Sequence, residues 1–136
     1  MNQTALATPT RHPSSALLKR SIRDALEHLK AHDIIEIDVR GKSGVTDTMV
    51  IASGTSTRHV SSIAAEVQRR ARAIGNPPIG VEGEREGEWV LVDLGDAIVH
   101  VMLPRVRDLY TLERLWGEGG RHERPHTGDG IASFTA

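Results

Sequence analysis

The stretch that decides the fold is WVLVDLGDAIVHVML at residues 89–103, in which apolar side chains alternate on both sides of Gly95-Asp96. A glycine and an aspartate between two alternating runs favour a two-residue turn, so this stretch predicts a β-hairpin. In the register set by that turn, Val92 lies opposite Val99 and one face of the hairpin is wholly apolar. That face consists of Val90, Val92, Leu94, Ala97, Val99, Val101 and Leu103.

The other face of the hairpin is mixed, because successive side chains of a strand point to opposite sides. Its cross-strand pairs are Trp89 with Met102, Leu91 with His100, and Asp93 with Ile98. If amphipathic helices cover the apolar face, the mixed face remains available for docking to another protein. Alternatively, the last helix of the chain packs over Trp89 and Met102 as ordinary core. The pattern alone leaves both arrangements open.

Upstream of the hairpin, the sequence predicts one helix followed by a strand pair. Ser14 or Ser15 can cap a helix that ends before His32-Asp33, and its apolar residues recur at helical spacing. The apolar positions are Leu18, Ile22, Leu26 and Leu29. Residues 34–39 and 47–53 are β-branched or alternating, and the turn-prone residues 41–46 separate them. They predict two paired strands.

A second helix is predicted from Thr57 to Ile74, where Gly75 and two prolines stop it. A short strand follows at about 79–82, and a last helix is expected at about 107–116. The pattern predicts an α/β (α+β) fold, a single small domain with a two-layer mixed β-sheet of about five strands and helices packed on one face.

The length of 136 residues, with 38% apolar and 26% charged residues, fits one globular domain. We expect its body to span 15–117. Residues 1–14 and 118–136 are polar and rich in glycine, proline or both, which predicts flexible tails.

Composition also excludes several classes of protein. The net charge of -1 gives no basic excess for binding a phosphate backbone, so a general nucleic-acid coat protein is not expected. The chain has no cysteine, which excludes disulfide scaffolds, thiolate metal sites and thiol nucleophiles. No stretch approaches the about 18–20 apolar residues of a membrane span, and the first residues lack the apolar core of a signal peptide. We therefore expect a cytoplasmic protein without a membrane partner.

An acidic run lies before and within the hairpin. Between residues 82 and 96 there are six acidic residues and one basic residue, Arg85. This imbalance predicts a basic partner, although charged residues also serve to keep an edge strand soluble. The acidic residues are Glu82, Glu84, Glu86, Glu88, Asp93 and Asp96.

Several patterns are similar to catalytic or metal-binding motifs without meeting their requirements. Residues 122–126, HERPH, match the zinc motif H-E-x-x-H, but Pro125 opposes the helix that this motif needs. The Gly41-Lys42-Ser43 triplet is similar to the end of a phosphate loop, but a strand follows it instead of a helix. His59 and His100 could act as bases, yet spacing assigns them no partners. We predict no catalytic residue, metal or cofactor.

Four separated motifs occur in a characteristic order: SGTSTRH at 53–59, VEG at 81–83, DLGDAIVHV at 93–101 and LYTLERLW at 109–116. Together they closely resemble the Iojap family, the bacterial ribosomal silencing factors, over about residues 33–116. The resemblance implies a small α/β domain with a mixed sheet, remotely similar to nucleotidyltransferases but without their catalytic residues. It also implies a protein that binds protein fourteen of the large ribosomal subunit, hinders joining of the small subunit, and lowers translation when nutrients are scarce.

The resemblance and the mixed hairpin face together predict the partner-binding residues. These are Trp89, Leu91, Asp93, Asp96, His100, Met102, Tyr110 and Leu112. No sequence-specific contact to nucleic acid is expected.

Two other functions stay open at this point. In a nucleotidyltransferase-like enzyme, Ser53-Gly54 would supply the turn before a helix, but Asp93 and Asp96 are spaced wrongly for a carboxylate pair on one strand face. A self-associating structural module is the other alternative, since the mixed face could pair two copies in a homodimer.

Overall fold

The structure, a computed structural model, describes residues 14–42 and 44–110. The elements in chain order are α1 (Ser15–His28), β1 (His32–Asp38), β2 (Thr48–Ser53), α2 (Thr57–Ala73), β3 (Gly80–Glu82), β4 (Trp89–Asp93), β5 (Ala97–Met102) and α3 (Pro104–Tyr110). The predicted tails, 1–14 and 118–136, lie outside the described residues except for Ser14. No helix among the described residues is long and apolar enough to cross a membrane.

The five strands form one sheet in the order β1-β2-β5-β4-β3. The central pair, β2 and β5, is parallel, whereas the other three pairs are antiparallel. The parallel pair needs a crossover connection, and α2 lies within the chain segment that provides it. The predicted α/β domain with a five-stranded mixed sheet is confirmed.

The hairpin of β4 and β5 has the register expected from the sequence. Trp89 lies opposite Met102, and Leu91 lies opposite His100. At the turn, the Leu94 amide donates to the Ala97 carbonyl at 2.9 Å, and Gly95 adopts a φ of +89° that favours glycine. This turn fixes which side chains face each side of the sheet.

The first two helices cover the apolar face of the sheet, as predicted. Ser14 caps α1 by accepting a hydrogen bond from the Leu17 amide, and Ser56 caps α2 in the same way through the His59 amide. Their buried stripes pack against the even-numbered side chains of β2 and β4, which include Val50 and Val92. This layer forms the larger of two buried hydrophobic clusters.

The third helix differs from its prediction in its start and its position. It begins at Pro104 instead of residue 107, since proline is well tolerated in the first turn of a helix. It also lies on the face opposite α1 and α2, where Val106 packs with Met49 and Met102. The helices therefore do not all lie on one face. Of the two arrangements that the sequence left open, the structure has the one in which the last helix packs as core: Val106 lies against Met102, and Trp89 is half-buried at the edge of the same cluster.

Strand β1 begins two residues earlier than predicted and is irregular at its start. Its pairing with β2 shifts between His32 and Ile35, which is typical of a β-bulge. Within the shift, Asp33 has a φ of +48°, an uncommon conformation for a residue with a side chain. This bulge places Asp33 beside the end of β2.

The loop before β4 depends on a glycine, which gives a test of the fold. Gly83 has a φ of +84°, and a Cβ atom there would overlap the carbonyl oxygen of Trp89. Gly41 has nearly the same φ, +85°, but open space around it. We expect Gly41→Ala to lower the free energy of unfolding by about 1 kcal/mol and Gly83→Ala by about 3 kcal/mol or more, because only the second adds a clash to the strain.

Chemical denaturation of both variants measures this difference. Equal losses would show that the Trp89 carbonyl moves away without cost and that the loop is not held by this close approach.

Candidate functional site

The predicted partner-binding residues separate into a surface group and a buried group. Trp89 and Asp93 are half-buried and Asp96 is exposed, so these three reach the surface of the hairpin. We call Trp89, Asp93 and Asp96 the hairpin surface. Tyr110 is the last residue of α3, and its side chain, like the whole of Leu112, lies outside the described part of the chain.

Leu91, His100 and Met102 form the buried group, with exposures of 5%, 0% and 0%. A side chain that does not reach the surface cannot contact a partner while the domain keeps this conformation. They are buried because they lie on β4 and β5, on the face of the sheet that the second hydrophobic layer covers. The sequence pattern did not decide whether that face is covered. The three residues can contribute to a docking surface only by packing beneath the side chains that form it.

The support for Trp89 is a specific hydrogen bond. The Trp89 indole nitrogen Nε1 donates to Nδ1 of His100 at 2.9 Å, and the two rings lie 5.9 Å apart. Trp89 also packs at the edge of the second hydrophobic cluster. The indole is therefore held in one orientation at the surface, which lowers the entropy lost when it binds a partner.

The imidazole of His100 is neutral in this arrangement. Because Nδ1 accepts a hydrogen bond, Nε2 carries the proton, and Nε2 is buried without a hydrogen-bond partner among the described residues. Burial lowers the pKa of His100 from its usual 6.5 to about 4. A second proton would place a positive charge in the core.

The hairpin surface adjoins the acidic run. Glu82, Glu84, Glu86 and Glu88 are all exposed. Two of them have contacts: Glu88 forms an ion pair with Arg105 at 3.3 Å, and Glu84 accepts a hydrogen bond from Gln68 at 3.1 Å. The run leads from edge strand β3 into Trp89, so its negative charge lies along the chain next to this half-buried aromatic residue.

The two aspartates of the hairpin do not form a paired carboxylate site. Asp93 ends β4 and accepts a hydrogen bond from the Gly95 amide at 2.9 Å, whereas Asp96 lies beyond Gly95 in the turn. Within residues 14–42 and 44–110, no three histidine or acidic side chains are grouped to hold a metal ion. The zinc-like motif at 122–126 lies outside those residues.

The histidine of the motif SGTSTRH has a structural role. Nδ1 of His59 accepts a hydrogen bond from the Thr55 amide at 2.9 Å, and Nε2 donates to the Leu29 carbonyl at 2.7 Å. His59 thus joins the end of α1 to the start of α2. The first serine of the same motif, Ser53, accepts a hydrogen bond from Arg107 of α3 at 2.9 Å.

Sequence reasoning missed both of these contacts. His59 had a signal, because it lies in a motif at the start of a helix. Arg107 had none, because a single arginine near a chain end is common and Ser53 is 54 residues away.

Comparison with protein families identifies one matching family model. Residues 12–133 match the family described as "Ribosomal silencing factor during starvation". The match spans most of the chain and confirms the resemblance found in the sequence motifs.

Individual relatives and solved structures agree. A ribosomal silencing factor of Chromobacterium violaceum is 48% identical over 94 residues, which are 69% of this chain and 77% of the relative. A mouse protein named for mitochondrial assembly of the ribosomal large subunit is 36% identical over 67% of this chain and 41% of its own length. A crystal structure of a Chromobacterium violaceum protein superposes with a TM-score of 0.75 and 40% identity, covering 84% of this chain and 92% of that one.

The buried His100 predicts a pH dependence of stability. In the unfolded chain His100 binds a proton near pH 6.5, whereas in the folded chain it does so only near pH 4. Acid therefore favours unfolding between these two pH values. The contribution of His100 to the free energy of unfolding is complete above pH 6.5. It falls by about 3 kcal/mol as the pH is lowered to 4, and it changes no further below pH 4.

Urea denaturation across this range should show the loss, and His100→Asn should lack most of it, since the amide has no proton to gain. The Asn side chain can still accept from Trp89. If both proteins lose stability equally with acid, the effect belongs to other groups.

Proposed function

Because this chain belongs to the family of ribosomal silencing factors, we propose that it binds the large ribosomal subunit through protein fourteen of that subunit. The bound domain sterically blocks association with the small subunit and so represses translation under nutrient limitation. One observation carries the assignment of the contact: an indole held in place by a buried histidine beside an acidic edge. The name of the mouse relative, which refers to the ribosomal large subunit, supports the choice of subunit.

The chemistry of the hairpin surface fits a basic protein better than RNA. Six acidic residues against one basic residue between 82 and 96 attract a positively charged patch and repel phosphate. Tryptophan is enriched at protein interfaces because it buries a large area with few torsions to fix. Trp89 is the anchor of this proposal, Asp93 and Asp96 are its charged rim, and Leu91, His100 and Met102 support it from below.

A steric block needs a folded body on the partner and no chemical step. We therefore propose a non-enzymatic protein that acts where ribosomes are, in the cytoplasm. The nucleotidyltransferase-like alternative lacks support at its two required positions: the Ser53 hydroxyl is hydrogen-bonded to Arg107, and Asp93 and Asp96 lie on either side of Gly95. Pairing of two copies through the hairpin surface would compete with ribosome binding, so a homodimer would reduce silencing.

Truncation of the anchor tests the proposed surface. We expect Trp89→Ala to weaken binding to isolated large subunits by about 30-fold, or about 2 kcal/mol, and Trp89→Phe to weaken it less. Phenylalanine keeps most of the apolar contact but cannot donate to His100. The matched control is Val45→Ala, which removes apolar surface from an exposed residue in the β1–β2 loop.

Binding is measured by co-sedimentation, after circular dichroism shows that each variant is folded. Unchanged binding of folded Trp89→Ala would overturn the assigned surface.

Charge neutralisation tests the acidic rim. Asp93→Asn keeps an oxygen that can accept from the Gly95 amide, so it removes charge without removing the turn contact. We expect this variant and Asp96→Asn to bind large subunits with slower association, and wild-type association to slow with added salt. Asp24→Asn, on the exposed side of α1, is the control and should have no effect.

Stopped-flow fluorescence gives the association rates. Faster association of the hairpin variants would identify RNA phosphate as the partner and contradict the proposed contact with a basic protein.

The function as a whole is tested by subunit joining. We expect the purified chain to co-sediment with large subunits, not with small subunits, and to suppress joining in a light-scattering assay. We propose that residues 15–117 form the active body, so this segment alone should suppress joining at saturating concentration, because blocking depends on occupancy. Association with small subunits alone would contradict the proposal, and failure of folded 15–117 would assign a role to the tails.

A further inference from the structure

A groove of about 160 Å³ lies at the turn end of the hairpin, between that turn and the loop that joins α2 to β3. Most of its lining residues are apolar or glycine. They are Gly75, Asn76, Pro77, Ile79, Leu94, Gly95 and Asp96. Small-molecule sites have volumes of about 300 Å³ or more, so this groove suits a single side chain of another protein instead. We call it the turn groove.

One wall of the turn groove is an exposed isoleucine. Ile79 is 72% exposed, the largest exposure among the large apolar side chains that are exposed in the described part of the chain. A Cβ atom added to Gly95 would lie 3.3 Å from Cδ1 of Ile79, so the isoleucine side chain lies against the hairpin turn. The buried Leu94 lines the groove as well. An apolar side chain in the groove would remove this apolar surface from water, which stabilises a complex.

The loop that forms the groove is fixed to the hairpin by hydrogen bonds. The Asn76 side-chain amide donates to the Leu94 carbonyl at 3.1 Å, and the Asn76 backbone amide donates to the Ala71 carbonyl at 2.8 Å. The Ile79 amide donates to the Asp93 carbonyl at 2.7 Å. Because the loop already has the shape of the groove, little conformational entropy is lost when the groove is filled.

The turn groove is continuous with the hairpin surface. Asp96 belongs to both, and Asp93, whose carbonyl accepts from Ile79, ends β4 beside the groove. The edge of the groove therefore carries the negative charge that favours a basic partner. A second copy of this chain is a poorer occupant, because symmetric pairing through this patch would bring the aspartates of both copies together.

From these observations we propose that the turn groove receives one apolar side chain of the basic protein that docks on the hairpin surface. A lysine or arginine next to that side chain in the partner contacts Asp96. This inference rests on the proposed function, because the partner is the same protein of the large ribosomal subunit. Trp89 begins β4 and the turn groove adjoins its end, so the partner is held at both ends of one strand.

Substitution of Ile79 separates apolar contact from charge. We expect Ile79→Ala to weaken binding to isolated large subunits by about ten-fold, because it removes most of the apolar wall. Ile79→Asp should weaken binding at least as much, even though its added negative charge attracts a basic protein. The matched control is Leu17→Ala, which removes an exposed apolar side chain from α1 and should bind as the wild type does.

The salt dependence of binding separates the groove from the charged residues around it. Ile79→Ala should leave the slope of log Kd against log salt concentration as it is in the wild type, whereas Asp96→Asn should reduce that slope. Binding is measured by co-sedimentation at several salt concentrations, after circular dichroism shows that each variant is folded. Analytical ultracentrifugation gives the oligomeric state of each variant alone.

The outcomes distinguish this inference from the proposed function. If Trp89→Ala weakens binding but folded Ile79→Ala does not, or if Ile79→Asp binds more tightly, the groove is not a contact and the proposed function stands. An equal loss of binding in Leu17→Ala would also overturn the inference. A change in oligomeric state without a change in large-subunit binding would assign the groove to the pairing of two copies and overturn it. A wild type that does not bind large subunits would overturn the proposed function and this inference together.

Discussion

The structure depends on the burial of β5 from both sides. This strand pairs with β2 on one edge and with β4 on the other, and all six of its residues are buried. Successive apolar side chains of this strand point to opposite faces of the sheet. Each face therefore needs a hydrophobic layer to bury them. The helices α1 and α2 supply one layer, and Val106 of α3 belongs to the second.

Burial of both faces determines the polar contacts of the second layer. The buried His100 and Ser53 each have one polar atom with a partner inside the domain: Nδ1 of His100 accepts from Trp89, and Oγ of Ser53 accepts from Arg107. Each hydrogen bond joins a buried residue of a strand to a residue of a neighbouring element. Trp89 is held at the surface near the acidic run, and Arg107 is held against the end of β2. The layer that closes the core therefore also fixes the orientation of Trp89 at the hairpin surface.

The hairpin surface and the contact between Ser53 and Arg107 lie on the same side of the sheet. Trp89 and Ser53 are linked by a short path through β5: Met102 lies opposite Trp89 on one edge and opposite Ser53 on the other. Met102 also packs with Val106 of α3. A displacement of α3 from the sheet would thus disturb the hairpin surface, since Trp89 packs at the edge of the hydrophobic cluster that contains Val106.

The local elements and the hairpin follow from the order of the residues alone. The Gly95-Asp96 turn fixes the register of β4 and β5, and period-two alternation then assigns each side chain to a face, so the pairs Trp89 with Met102 and Leu91 with His100 follow without knowledge of the fold. A capping serine and helical spacing likewise define α1, helical spacing and the stop at Gly75 define α2, and the ordered motifs identify the family. These features depend on neighbours in sequence.

Which of those side chains reach the surface depends instead on how the elements pack together. Whether the mixed face is open or covered depends on α3, whose direction of approach is set by contacts between residues far apart in the chain, such as Arg107 with Ser53. The burial of His100, its lowered pKa and the fixed orientation of Trp89 all follow from that packing. The turn groove was equally hidden from the sequence, because it results from the loop after α2 meeting the hairpin turn, and neither position has a periodic signal.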